Sequence, residues 1–247
     1  MTAQMTGNAQ TIAIETLDHS GTFNTYVARP AGKPRAAIVV IQEIFGVNAG
    51  IRSKCDRLAA DGYLALAPDL FWKIEPGIEL DPDVPDQMQR ALSLIGEFDQ
   101  DAGIRDIEAT IRTARSLLNE AHQGDGLTSK VGVVGYCLGG RLAFMTATRT
   151  DVDASVGYYG VGIDGLLGEA HAIAHPVLLH VPQEDHFVDK DAQARMHAGL
   201  DDHPKVTLFD YPGEDHGFAT EFGQRRSEES AALADQRTAS FFAAHLG

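Results

Sequence analysis

One thiol in this chain stands where a nucleophile would be expected. Cys137 is the central residue of the segment Gly135-Tyr136-Cys137-Leu138-Gly139, which follows an apolar run and precedes a helical pattern. The glycines leave room for a sharp turn from a strand into a helix, and such a turn holds the central side chain above the sheet. The predicted chemistry is attack of the thiol on a carbonyl carbon. The alternative is a glycine-rich turn around an inert, buried thiol.

A nucleophile of this kind needs an acid and then a histidine later in the chain, each in a loop after a strand. Asp185 and His216 meet both conditions, because they follow the apolar runs 177–181 and 206–209. Neighbouring residues of the same types remain alternatives: Glu184 and Asp189 for the acid, and His186 and His180 for the base. His180 lies inside a predicted strand and is better explained as a hydrogen-bonded core residue.

Acyl transfer also needs hydrogen-bond donors aimed at the oxyanion that develops on the carbonyl. The backbone amide of Leu138, at the start of the helix after Cys137, is one candidate donor, and the helix dipole there favours negative charge. The second donor usually comes from the loop after the third strand. The Ile44 amide is the candidate in that loop.

Glu43 is an acid at the end of an apolar strand, in the same loop as Ile44. A carboxylate beside a thiol disfavours its ionisation and would keep the thiol neutral in the resting enzyme. The same carboxylate could accept the thiol proton once substrate excludes water. The alternative is a structural carboxylate held by backbone donors.

These residues can meet only if the strands before them end at one edge of one sheet. Short β-branched runs alternate along the chain with amphipathic stretches. The predicted strands are 36–41, 63–67, 131–134, 154–158, 177–181 and 206–209, with 11–16 and 24–28 as an antiparallel edge pair. The predicted helices are 48–61, 101–121, 138–148, 190–200 and 227–245. The alternation predicts an α/β fold with a mostly parallel central sheet, helices on both faces and the site at the carboxyl ends of the strands.

The segment 71–99 interrupts this pattern. Its first part, 71–87, contains three prolines and many acids and shows no clean period. We expect a surface excursion over the strand ends, where it could act as a cap or lid. Because no linker or repeat divides the chain, 1–247 is predicted to be a single domain.

Composition excludes several classes of protein. The 247 residues contain 20 Lys and Arg against 35 Asp and Glu, a formal charge of −15. Without a basic face, neither a nucleic acid nor an anionic membrane is an expected partner. The chain shows no signal sequence and no apolar stretch of membrane-spanning length, and its two cysteines cannot form a disulfide framework. A cytoplasmic protein is therefore expected.

No cofactor and no metal are expected. Neither a Walker nor a Rossmann glycine pattern is present. His171 and His175 have the spacing of two ligands on a helix, but no further ligand pattern surrounds them. Cys55 lies in a helical pattern without turn residues, so packing is its predicted role.

Several segments together resemble the dienelactone hydrolase (carboxymethylenebutenolidase) family, and the similarity extends over nearly the whole chain. They are Gln42–Gly46, Gly135–Gly140, Gly157–Gly162, Asp185–Val188 and His216–Phe218. The resemblance implies an α/β-hydrolase fold with Cys137 as the nucleophile and His216 as the base. It also implies that Asp185 orients the base and that Glu43 takes the thiol proton when substrate binds.

The resemblance further implies two arginines that bind the substrate carboxylate, and here the chain departs from the family. Thr220 and Met88 stand at the matching positions. Arg90 and Arg141 remain as candidate anion anchors, although Arg141 could be an ordinary surface arginine. The other candidate pocket residues are aromatic: Phe45, Tyr136 and Phe218.

The expected function is hydrolysis of a small ester or lactone through a covalent acyl-enzyme on Cys137. The protein would act as a monomer or small homo-oligomer on a small-molecule substrate. Two other functions remain open: a carboxylesterase or thioesterase with a different acyl substrate, and a catalytically silent binding protein with a hydrolase fold.

Overall fold

A twisted sheet forms the middle of the molecule in the computed structural model, which describes residues 9–122 and 129–247. Within these residues the sheet has eight strands in the order β1-β2-β4-β3-β5-β6-β7-β8. The strands are β1 (Ala9–Glu15), β2 (Thr22–Ala28), β3 (Ala37–Ile41), β4 (Leu64–Pro68), β5 (Val131–Tyr136), β6 (Ala154–Tyr158), β7 (Val177–Pro182) and β8 (Val206–Tyr211). β1 and β2 run antiparallel to their neighbours, and the remaining pairs are parallel. The predicted fold class and the predicted edge pair are confirmed.

Helices cover both faces of the sheet. They are α1 (Ala49–Ala60), α2 (Pro85–Glu97), α3 (Gln100–Ala121), α4 (Leu138–Arg149), α5 (Lys190–Leu200) and α6 (Glu228–His245), with a 3-10 helix at Ile163–Ala172. α1 and α6 pack on one face, and α3 and α4 pack on the other. In the described ranges, no helix is both long enough and apolar enough to cross a membrane.

Local sequence explains where these elements begin. The strands β3 to β7 are buried on both faces, as their continuous apolar runs predict. Asn48 caps α1 by accepting a hydrogen bond from the Ile51 amide at 3.2 Å, and Asp99 caps α3 through the Ala102 amide at 3.0 Å. The predicted helices and strands agree with the observed ones to within a few residues.

The segment 71–99 is more ordered than its sequence pattern indicates. Its second half contains α2, which begins with Pro85 in the first turn, a favourable position for proline. The first half is tied to the loop after β3, because the Leu80 amide donates to the Phe45 carbonyl at 2.9 Å. The segment therefore forms one wall above the carboxyl ends of the strands.

Candidate active site

The three side chains predicted to form a triad lie at the carboxyl edge of the sheet. Cys137 follows β5, Asp185 follows β7 and His216 follows β8. Nδ1 of His216 donates to Oδ2 of Asp185 at 2.9 Å, and both side chains are almost fully buried. This hydrogen bond leaves Nε2 of His216 as the nitrogen available for proton transfer.

The turn that carries Cys137 is strained and tightly packed. The backbone of Cys137 has φ 56°, a region that few side-chain-bearing residues adopt. A Cβ atom on Gly135 would lie 1.9 Å from the Gly139 carbonyl oxygen, so only glycine fits where the strand meets the helix. The predicted strand-turn-helix around Cys137 is present.

The same close packing brings the two candidate oxyanion donors into one cavity. A Cβ atom on Gly139 would lie 2.4 Å from the carbonyl oxygen of Ile41, which places the start of α4 directly against the end of β3. Ile44 and Leu138 consequently both line the cavity above Cys137.

The pKa of His216 is raised. Burial opposes protonation of the ring, but the Asp185 carboxylate and the nearby Cys137 outweigh burial and raise the pKa of His216 from 6.5 to about 10. Nε2 makes no hydrogen bond of normal geometry to any described residue. It is a buried nitrogen beside the thiol, held in position from its other side.

Glu43 is a buried acid at the end of β3. Burial raises the pKa of its carboxyl group, while the positive charges of His216, Arg225 and Lys54 oppose that effect. Glu43 lines the cavity that contains Cys137 and also a second cavity on its other side. It is therefore placed between two spaces that solvent or ligand can occupy.

The cavity above Cys137 has a volume of about 400 Å³ and a mostly apolar lining. Leu92 and Ile95 of α2 and Phe187 after β7 form its rim, with 50%, 38% and 50% of each residue exposed. The ring of Phe187 packs edge-on against His216 at 4.8 Å between centroids. Exposed apolar side chains grouped around a cavity mark a binding site for an apolar group.

Two of the candidate pocket residues, Phe45 and Arg141, line this cavity. Nε of Arg141 donates to Gln100 at 2.8 Å, and Nη1 donates to the Gly162 carbonyl at 2.6 Å. Arg141 is thus largely committed to contacts within the protein.

The structure places the other three candidates outside the lining. Arg90 lies on the outer surface of α2, where Glu75 binds its guanidinium group. Tyr136 points to the opposite face of the sheet, where its ring packs at a tilt against Tyr158 with 4.7 Å between centroids. Phe218 is buried behind the site against Tyr211. The helical turn of α2 directs the charge of Arg90 to solvent, so Arg90 does not act as an anion anchor in this cavity.

Arg225 is a lining residue that the sequence analysis did not single out as a site residue. Its guanidinium carbon lies 5.7 Å from the centre of the Phe45 ring, and its Nη2 is buried without a hydrogen-bond partner in ranges 9–122 and 129–247. Met88 also lines the cavity, whereas Thr220 lines the second one. No motif marks Arg225, since a loop after His216 returns it to the cavity.

The alternative acids and bases have other contacts. Glu184 pairs with Lys190 at 3.0 Å on the surface, and Asp189 caps α5. His186 is half exposed and bonds to Asp215 at 2.7 Å. His180 is buried and bonds to the Tyr211 hydroxyl at 2.7 Å.

One group of donors has the spacing of a metal site. Ligand atoms of Asp185, His186 and Asp215 all lie within 4.8 Å of one another. The hydrogen bonds of Asp185 to His216 and of His186 to Asp215 already account for this geometry. His171 and His175 do not share a helix, because the 3-10 helix ends at Ala172.

Known proteins resemble this chain over nearly its whole length. Residues 23–246 match the model of the dienelactone hydrolase family. A protein of Azospirillum brasilense named "Putative carboxymethylenebutenolidase" is 45% identical, over 92% of this chain and 95% of that protein. The carboxymethylenebutenolidase of Pseudomonas putida is 40% identical, over 94% and 95%.

Solved structures show the same likeness. One of them, the "Putative Dienelactone Hydrolase" of Klebsiella pneumoniae, superimposes with a TM-score of 0.77 and 27% identity, over 95% of this chain and 98% of that chain. The family model covers the β-sheet from β2 onward, together with all three strand ends that carry Cys137, Asp185 and His216. This chain belongs to the dienelactone hydrolase family of α/β hydrolases.

Proposed function

We propose that this protein hydrolyses a small ester or lactone by transferring the acyl group to Cys137. The observation that carries the proposal is the buried His216–Asp185 pair beside a thiol on a strained turn, at the base of a cavity of about 400 Å³. A nucleophile, a base and an orienting acid in this order have the roles of a hydrolytic triad.

Acylation begins with loss of the thiol proton to Glu43. The thiolate attacks the substrate carbonyl carbon, and the amides of Ile44 and Leu138 stabilise the oxyanion. When the intermediate collapses, the C–O bond of the ester breaks and the leaving alkoxide takes a proton from the His216 imidazolium. The raised pKa of His216 supplies the protonated ring for this step.

In deacylation His216 acts as a proton acceptor, whereas in acylation it acts as a proton donor. The neutral ring now takes a proton from water, and the hydroxide that forms attacks the thioester. Collapse of the second intermediate breaks the C–S bond and releases the acid, and Glu43 returns its proton to the sulfur. With a lactone the alcohol formed in acylation remains tethered to the acyl group, so deacylation must be faster than ring closure.

The cavity lining suggests the substrate class. The name of the relatives, carboxymethylenebutenolidase, denotes a lactone that carries a carboxyl group, and Arg225 offers an unpaired guanidinium nitrogen to such a group. The apolar rim of Leu92, Ile95 and Phe187 suits the carbon skeleton. We therefore propose a small, anionic, largely apolar ester or lactone.

A substrate panel tests the function. Unsaturated lactones with and without a carboxylate, and 4-nitrophenyl esters, are incubated with the wild-type protein and with Cys137→Ala. We expect turnover by wild type only, and a mass increase on Cys137 equal to one acyl group after rapid quenching. Equal inactivity of both proteins on the whole panel would refute the proposal.

A further inference from the structure

Lys54 is a buried cation that the proposed mechanism does not use. It lies on α1 with only 4% of its surface exposed. Lysine is almost never fully buried unless its ammonium group is paired. Burial lowers the pKa of Lys54, so its charge must be stabilised by its surroundings.

The ammonium group contacts two elements of the site at once. Nζ donates to the Ala219 carbonyl at 2.9 Å and lies 3.7 Å from Oε2 of Glu221. It also lies 4.2 Å from the centre of the Tyr136 ring. Ala219 is three residues after His216, and Tyr136 directly precedes Cys137. The Lys54 side chain therefore connects β5, which leads to Cys137, to the loop 212–227 that carries His216. We call this loop the histidine loop.

Lys54 also faces Glu43 from the side away from the substrate. Both residues line the second cavity, of about 310 Å³, whereas Lys54 is not part of the lining above Cys137. The other two cations near Glu43, His216 and Arg225, do line the substrate cavity. An anionic substrate would neutralise Arg225, and Lys54 would then be the cation that substrate does not reach.

Other charges surround this pair from every packed element. Glu221 of the histidine loop and Asp235 of α6 stabilise the ammonium form of Lys54, and Arg57 of α1 opposes it. Arg57 is itself paired with Glu221 at 3.0 Å and Asp235 at 3.2 Å. Glu221 and Asp235 therefore remain paired with Arg57 when Lys54 is removed. The net effect of the removal is the loss of one positive charge near Glu43.

We propose that Lys54 is a positioning residue for proton transfer from Cys137 to Glu43: its ammonium group fixes the histidine loop and is one of the positive charges that keep Glu43 a carboxylate. This inference rests on the proposed function, in which Glu43 receives the thiol proton. It assigns to α1 a part in the reaction although Lys54 touches no substrate.

Three substitutions separate the two roles of Lys54. Lys54→Met removes charge and donor, Lys54→Gln keeps a donor without charge, and Lys54→Arg keeps both. We expect Lys54→Met to lower kcat about tenfold or more, with KM changed less than about twofold, and to move the acidic limb of the kcat profile to higher pH. Lys54→Gln should retain thermal stability better than Lys54→Met, but its acidic limb should move to higher pH by the same amount. In Lys54→Arg the acidic limb should return towards its wild-type pH.

A substrate-independent measurement accompanies the kinetics. The rate of alkylation of Cys137 by iodoacetamide is followed against pH by peptide mass, with Cys137→Ala as the blank for buried Cys55. Loss of a nearby cation should shift the midpoint of alkylation to higher pH in Lys54→Met and Lys54→Gln. Lys73→Met, which removes an exposed lysine and the same formal charge, should leave kinetics and midpoint unchanged.

The proposal would be overturned if Lys54→Met and Lys54→Gln fold and keep the wild-type kcat, the wild-type acidic limb of the kcat profile and the wild-type pH midpoint of Cys137 alkylation. A lower melting temperature alone, without these changes, would show a merely structural role and would also overturn it. If wild type hydrolysed nothing in the panel, the proposed function would fail, but the alkylation midpoints would still decide the role of Lys54.

Discussion

In the proposed mechanism Glu43 accepts the thiol proton, and its own protonation then gives a pH prediction. Burial raises the pKa of this carboxyl above its ordinary 4.5, so as pH falls Glu43 takes up its proton earlier than an exposed glutamate would. A protonated Glu43 cannot accept the thiol proton. We therefore expect the acidic limb of kcat/KM to lie above pH 4.5.

In Glu43→Gln this limb should disappear and kcat/KM should fall about a hundredfold to ten-thousandfold, the range for loss of a general base. The measurement is a kcat/KM profile for both proteins on one neutral ester. A Glu43→Gln profile that kept the wild-type limb would assign the limb to another group.

Arg225 gives a prediction about substrate choice. Because its buried Nη2 lacks a partner among the described residues, a substrate carboxylate can pair with it. Arg225→Met should raise KM for a carboxylate-bearing ester about tenfold to a hundredfold and leave a neutral ester of equal size nearly unchanged. Arg90→Met is the matched control, since Arg90 faces solvent beside Glu75; a similar KM rise in both variants would argue for a general charge effect.

The sequence could predict that the three candidate residues lie together, because each follows a strand and their chain order is constrained. Cys137, Asp185 and His216 are brought together as expected, and His180 is a hydrogen-bonded core residue. Arg225 could not be found this way. The direction of the Arg225 side chain depends on the path of an irregular loop, and such a loop has no hydrophobic periodicity from which its path could be predicted.

At the level of elements, the turn after β5 packs directly against the end of β3. Gly139→Ala would place a methyl group 2.4 Å from a backbone oxygen of β3, and neither backbone can move without disturbing the sheet. We expect a loss of about 1–3 kcal/mol in the free energy of unfolding, together with lower kcat because the Leu138 amide is displaced.

Gly96→Ala is the control for this substitution. It adds the same methyl group in α2, where nothing lies within 4 Å, and should stabilise the protein by about 0.5–1 kcal/mol. Urea denaturation measures both variants. Equal stabilities for the two would mean that the turn relaxes more easily than its packing indicates.

The segment 71–99 shows what element patterns leave out. Its prolines and acids correctly indicated a break between β4 and α3, but α2 was not predicted. Met88, Ala91, Leu92 and Ile95 recur at three- and four-residue intervals, which is a helical pattern that the strand and helix predictions did not include. Only Ala91 and Leu94 of this helix are buried. Leu92 and Ile95 are exposed and line the cavity above Cys137. Their position depends on the residues across that cavity, which the sequence of the helix does not reveal.

For the whole molecule, the pH dependence of stability should include a contribution from His180. Burial lowers the pKa of His180 to about 3, from 6.5 in the unfolded chain. Between these values the unfolded chain binds a proton that the folded chain does not. The contribution of His180 is therefore complete above pH 6.5 and is lost as pH falls towards 3, with a slope approaching about 1.4 kcal/mol per pH unit.

A variant isolates this contribution. His180→Gln cannot ionise but can still bond to Tyr211 or Thr238, the partners of His180 at 2.7 and 2.9 Å. Its free energy of unfolding should be lower at pH 7 and should decline less steeply on acidification. If the free energy of unfolding of His180→Gln declined with pH as steeply as that of the wild type, His180 would be excluded as the cause of the decline.

The overall topology was only partly accessible from the sequence. Alternation of strands and helices predicts a parallel sheet, and the half-exposed runs near the start predict an antiparallel edge. The position of β3 between β4 and β5 cannot be read from any single run. It results from how the crossovers pack over the two faces, a property of many side chains together.

The strand order has a consequence for native-state hydrogen exchange. β5, which leads to Cys137, lies inside the sheet with strands on both sides, whereas β8, which leads to His216, is an edge strand. Edge elements open in sub-global fluctuations that cost less free energy than global unfolding. Amides of β5 should exchange last and those of β8 earlier, so the loop that carries His216 can open transiently while the turn that carries Cys137 stays folded.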